Sequence, residues 1–187
     1  MFRLASASLW PVAAITTSFA AFALMYLAHR HLQPEKCLEW SIRLVTMVHA
    51  GVVTTLAYFS CFALGPWPFQ DPGLDSSAFH LAIISICLGY FIMDYLWCLK
   101  QGSEGIVMHV HHWFSLVYLS WGLYSRVSGA EIVGVIFGSE ITNPMLQLRW
   151  MLKQCGKHDT GFGRINDMLF AVAFVRYFAW AKAFPSA

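Results

Sequence analysis

A chain of 187 residues with 58% hydrophobic and only 12% charged residues is unlike a soluble globular domain, in which about a quarter of residues are charged. Its net charge of +2, without any Lys/Arg cluster interleaved with aromatics, excludes a nucleic-acid-binding surface. The five cysteines, Cys37, Cys61, Cys87, Cys98 and Cys155, form no C-x-x-C pair and fall mostly in or beside apolar segments, so they read as small buried hydrophobes.

Crossing the hydrocarbon core takes about 20 apolar residues in a helix, and several segments reach that length. Residues 9–28 are uncharged, with Pro11 near the start, and make a first span. A secretory signal has a shorter apolar core and a small-residue cleavage site, so an uncleaved anchor is expected. A polar link carrying Arg30, Lys36 and Arg43 leads to a second span, 42–64, which contains His49. The Gly65-Pro66-Trp67-Pro68-Phe69-Gln70-Asp71-Pro72-Gly73 stretch cannot be helical, because its prolines lack donors and restrict the residues before them. A third span, 79–99, holds Asp94, and a six-residue link makes it the antiparallel neighbour of the fourth, 106–124. The fourth opens with Met108-His109-Val110-His111-His112-Trp113. A fifth, 130–152, carries Glu131, Gly138, Ser139, Glu140, Thr142, Asn143 and Pro144, and a sixth, 165–184, carries Arg176. The expected fold is an all-α integral membrane bundle of about six helices, with residues 1–38 as anchor and link and 39–184 as the membrane domain.

Links one, three and five hold eight Lys/Arg, against four on the opposite side and in the sixth span. The positive-inside rule therefore puts the odd links in the cytosol and the N-terminus on the other face. At about 1.5 Å of rise per residue, His49, Asp94, His112 and Asn143 all come to lie roughly 8–10 Å from the cytosolic ends of their helices, with Glu140 a turn deeper and Arg176 deeper again. Ionisable groups inside a bilayer are costly and usually functional, so four helices contributing to one layer argue for a polar pocket. His109 and His112 share a helical face, whereas His111 is about 100° away from His112. Pro144 has no N–H for the carbonyl of Glu140 and should kink the fifth helix beside a cavity.

Each residue also has an ordinary reading. A single buried histidine such as His49 is more often a packing residue. Asp94 would pair with a histidine across a helix interface, and Arg176 would neutralise an acid such as Glu140. Trp97, Trp113, Trp121 and Trp150 read as packing or interfacial anchors. A metal set drawn from His109, His112 and an acid is conceivable, but H-x-H-H is not the H-x-x-H-H box of membrane di-iron oxygenases, and neither metal nor cofactor is expected.

His111-His112 at a helix start, Leu88-Gly89-Tyr90-Phe91-Ile92-Met93-Asp94, Ser139-Glu140-Ile141-Thr142-Asn143-Pro144 and Leu146-Gln147-Leu148-Arg149-Trp150 together resemble the TLC domain family. The resemblance runs from about Glu39 to Phe178. It implies a helical barrel around a lipid-sized cavity, in the endoplasmic reticulum or another endomembrane, with the plasma membrane as the alternative. Among its members are ceramide synthases, whose paired histidines, at the positions of His111 and His112, serve acyl transfer from acyl-CoA to a sphingoid amine. Their signature continues with His-Asp and, three residues later, Asp; here the corresponding residues are Ser139-Glu140 and Asn143. That departure favours the non-synthase members, which are linked to membrane lipid composition or trafficking. The family pattern also continues with a further hydrophobic helix and a basic tail, so an open barrel wall is expected. Membrane lipids and acyl-CoA are the expected partners. The catalytic candidates are His111, His112, Asp94 and Glu140, and the cavity candidates are His49, His109, Ser139, Asn143 and Arg176.

Overall fold

A computed structural model describes residues 9–102 and 105–182; Arg3, Ser103, Glu104 and the last two residues of the expected sixth span lie outside them. Among the described residues the regular structure is helical: α1 (Trp10–Leu32), α2 (Leu38–Tyr58) continuing as a π-helical turn (Phe59–Leu64), α3 (Ala78–Gln101), α4 (Ile106–Ser125), α5 (Gly129–Glu140), α6 (Asn143–Gln154) and α7 (Gly161–Lys182). By length and composition, α1, α2 with its π turn, and α3 are able to cross a membrane. The chain is an all-α, multi-span membrane protein.

The helix ends follow local chemistry. Pro11 sits in the first turn of α1, where its missing N–H costs nothing. Ser77 and His80 form a reciprocal cap on α3, with 3.1 Å from His80 N to Ser77 Oγ and 3.2 Å from Ser77 N to His80 Nδ1. Gly102 ends α3 in the left-handed conformation at φ 62°.

The expected fifth span is not one helix. It breaks at Ile141–Thr142 into two 12-residue helices, each only about 18 Å long. Pro144 lies in the first turn of α6, so the chain stops and restarts rather than bending. The second helix also begins four residues earlier than expected, at Leu38, which brings Glu39 and Arg43 into the bundle wall.

The core is centred on α3. Val45, Val53 and Ala57 of α2, Ile83, Ile84 and Cys87 of α3, and Val133 of α5 are fully buried. α1 joins this core rather than standing apart: Phe22 meets Tyr90 and His49 edge-on at 5.4 and 5.5 Å, and Ser18 Oγ donates to the Ile86 carbonyl at 2.7 Å. At Gly89, α1 runs so near that a Cβ would come within 2.5 Å of the Ile15 carbonyl oxygen. Small residues at helix crossings allow such approach in membranes.

The Pro-rich link packs against the far end. Pro68 is fully buried and lies over Gly134. The Gly73 amide donates to Glu131 at 3.0 Å, and Asp75 bridges Val127. At the other end His158 and Arg149 both approach Asp167, at 3.1 and 3.6 Å, which ties the α6–α7 link to both helices. That second end carries the site.

Candidate functional site

Where α2 and α4 begin and α3 ends, the helices leave a cavity of about 450 Å³. Its apolar wall includes Ile42, Phe91, Trp97, Val107 and Met108, and its polar wall includes Asp94, Cys98, His111, His112, Glu140 and Asn143. A few polar groups on an apolar lining at this volume are the usual make-up of a small-molecule site.

The histidine pair divides as its 100° offset requires. His112 is 3% exposed and packs on Tyr95 with ring centroids 5.3 Å apart. Its Nε2 lies 3.6 Å from Asp94 Oδ2 and 3.6 Å from Cys98 Sγ. His111 is exposed, lines the cavity and meets Phe91 at 6.0 Å.

The acid on α5 anchors a second polar line. Asn143 Nδ2 donates to Glu140 Oε2 at 3.0 Å, and Gln147 Nε2 donates to Asn143 Oδ1 at 2.7 Å. Arg43 Nη1 then donates to Gln147 Oε1 at 2.9 Å, while its Nε and Nη2 reach Glu39 at 2.9 and 2.7 Å. The guanidinium also lies over the Trp150 ring at 4.6 Å. The chain of contacts runs from Glu39 at the mouth of the cavity to Glu140 at its depth. The break at Ile141–Thr142 makes it possible, because it turns Glu140 and the first turn of α6 toward α2.

The structure brings Asp94, His111, His112, Glu140 and Asn143 to one cavity; four other expected residues lie elsewhere. His49 is fully buried behind the wall, stacked at 3.7 Å on Tyr90, with Glu140 Oε2 at 3.9 Å and Cys87 Sγ at 3.6 Å. Tyr90 covers it, and the Tyr90 hydroxyl donates to Thr46 at 2.9 Å. His109 sits one turn before His112 on the same face, edge-on to Tyr95 at 5.9 Å, and is not in the lining. Ser139, one residue before Glu140 and therefore about 100° round the helix, is exposed and bonds back to the Ile136 carbonyl. Arg176 is exposed on α7; the guanidinium that belongs to the Glu140 line is that of Arg43.

Glu39, Arg43, Thr46, Tyr90, Cys98 and Gln147 are polar lining residues that sequence reasoning passed over as site candidates. For Gln147 a signal existed: it stands four residues after Asn143 on the same helical face. For Cys98 the corresponding signal was its position four residues after Asp94. Asp94, Cys98 and His112 place their ligand atoms within 4.8 Å of one another, which is the one group among the described residues suited to a metal ion.

Replacing Arg43 with alanine is expected to lower stability by about 1 kcal/mol, the sum of a cation–π contact and one interhelical hydrogen bond in a membrane. Lysine should not restore it, having no planar fork for Glu39 and Gln147 together. Thermal unfolding in detergent checks both variants, and full rescue by lysine would show that charge alone matters.

A family model for the TLC domain matches residues 39–181. TLC domain-containing protein 4 C of Dictyostelium discoideum is 28% identical over 132 residues, or 67% of this chain and 47% of that protein. TLC domain-containing protein 2 of Danio rerio is 26% identical over 154 residues, or 76% of this chain and 59% of that protein. The chain thus spans about half to three fifths of the length of these curated relatives. No solved structure matches it. With the family match covering most of the chain and the whole cavity lining falling inside the matched residues, the chain belongs to the TLC domain family, membrane proteins generally linked to lipid metabolism.

Proposed function

We propose that this protein handles membrane lipid, holding a lipid head group in the cavity between α2, α3, α4 and α6 while the acyl chains lie against the apolar wall. The observation that carries this reading is the lining itself: Asp94, His112, Glu140 and Asn143 share about 450 Å³ with Ile42, Phe91 and Trp97. Polar groups at membrane depth are retained where they line a cavity or pair inside protein. On the positive-inside rule the mouth beside Glu39 and Arg43 faces the cytosol and the N-terminus the opposite side. An endomembrane such as the endoplasmic reticulum is the proposed compartment, and lipid homeostasis the proposed role.

Mass spectrometry of lipid that copurifies with the chain in mild detergent tests the reading. The wild type should carry a defined lipid class, and His112→Ala should lose most of it. Equal, negligible occupancy in both would overturn the proposal.

A second reading has one observation in its favour, the carboxylate and thiol gathered around His112. An imidazole so placed would act as general base for acyl transfer from acyl-CoA to a lipid amine or hydroxyl. Product formation from acyl-CoA that His111→Ala or His112→Ala abolishes would establish it, and no turnover with either acceptor class would count against it.

A further inference from the structure

We propose that Asp94, Cys98 and His112 form a zinc site in the cavity wall. Asp94 and Cys98 stand four residues apart on α3 and share one face, and His112 comes in from the second turn of α4. Both α3 groups approach the same ring nitrogen: Oδ2 of Asp94 and Sγ of Cys98 each lie 3.6 Å from Nε2 of His112. A relay from thiol through imidazole to carboxylate needs the acid and the thiol on opposite ring nitrogens. Here they converge on one, and a single N–H cannot serve both.

A sulfur, a nitrogen and an oxygen that all lie within 4.8 Å of one another are a grouping that one cation can gather. Zinc bonds of about 2.3 Å to sulfur and 2.0–2.1 Å to nitrogen, set tetrahedrally, hold those two atoms about 3.5 Å apart, close to the 3.6 Å between Sγ and Nε2. The mixed thiolate, imidazole and carboxylate set suits zinc, whereas magnesium and calcium take oxygen ligands. Three protein ligands leave a fourth position open. All three residues line the cavity, so that position faces its contents and takes a water or an oxygen of a lipid head group. The choice between those two rests on the lipid reading above; the three-ligand site does not.

The far nitrogen of His112, Nδ1, is buried with no hydrogen-bond partner among the described residues. Zinc histidines commonly donate that N–H to a carboxylate or carbonyl, which strengthens the site. The metal is therefore expected to be removable by a chelator and replaceable.

The test is zinc content after the detergent-purified chain has been stripped with chelator, reloaded with zinc chloride and passed through gel filtration. The wild type should hold about one zinc per chain, released again by chelator. Cys98→Ser should lower the content by about tenfold or more. Cys61→Ser, which alters a buried thiol outside the cavity lining, should leave it unchanged. Wild-type content below about a tenth of a zinc per chain, or equal content in the two cysteine variants, overturns the site. If Cys98→Ser does not fold, cobalt substitution of the wild type decides: a thiolate-to-cobalt charge-transfer band with intense tetrahedral visible bands supports the site, and their absence overturns it. Lipid occupancy measured on the same samples separates the two proposals, since zinc without lipid removes only the lipid reading and lipid without zinc removes only this one.

Discussion

Gly89→Val is expected to be strongly destabilising, because the neighbouring helix meets this glycine with its backbone. A Cβ at position 89 would meet the Ile15 carbonyl oxygen at 2.5 Å, Ser18 Cβ at 2.7 Å and the Phe19 amide nitrogen at 2.9 Å. Two of these three atoms belong to the backbone, so no side-chain rotation relieves the clash and α1 must move as a body. Movement would break the bond from Ser18 to the Ile86 carbonyl and draw Phe22 away from Tyr90 and His49. The cost should lie at the upper end of the roughly 1–3 kcal/mol found for overpacking. Alanine should already cost part of it, and valine more. Thermal unfolding in detergent and protease sensitivity of the α1–α2 link at residues 33–37 read the effect. A Gly89→Val protein with unchanged melting and unchanged link cleavage would mean that α1 does not pack on α3 at this separation.

The second large effect is expected at Glu140, and its pattern carries more information than its size. Glu140→Leu removes the acceptor for Asn143 and the oxygen facing His49 Nδ1. Interhelical hydrogen bonds within membranes average about 0.6 kcal/mol, because the unfolded chain in lipid also finds partners. Losing these contacts and loosening the next, from Gln147 to Asn143, should cost about 1–2 kcal/mol. Glu140→Gln keeps an oxygen at the same place and should cost little. Asn143→Leu breaks the same line, so the double variant with Glu140→Leu should be clearly less destabilised than the sum of the two. Additive costs, or a glutamine variant as unstable as the leucine one, would show that the contacts do not act as one line. The smaller expected cost here than at Gly89 reflects physics and not importance: steric overlap with backbone cannot be relaxed, whereas a lost hydrogen bond is partly replaced.

Helix positions were largely legible in the residues, because apolar length and the Gly/Pro punctuation are local properties. The link of residues 65–73, the end of α3 and the start of α4 stand close to where composition put them. The exception was the expected span 130–152. A proline inside an apolar run predicts a disturbance, but whether it bends the helix or ends it depends on what packs around it. Here α6 restarts against α2, and the Asn166 side chain donates to the Met145 carbonyl at 2.9 Å, a contact 21 residues away in the chain.

Depth was legible for the same reason: a fixed rise per residue converts position in a helix into distance from its end. It put His49, Asp94, His112 and Asn143 at one level with Glu140 a turn deeper, and of these Asp94, His112, Asn143 and Glu140 line the cavity. Rotation about each helix axis was not legible. A hydrophobic stripe signals the inward face of a helix in water, but a helix in lipid is apolar all round, so the pattern that would orient it is erased. Thus His49 stands at the same level yet behind Tyr90, Ser139 and Arg176 point outward, and Arg43, read as part of a link, reaches inward. His109, the neighbour of His112 along the helix, was a cavity candidate, yet it is not the third group around His112. That group is Cys98, brought in by the packing of α3 on α4, because only the assembled bundle decides which side chains from different helices meet at a point.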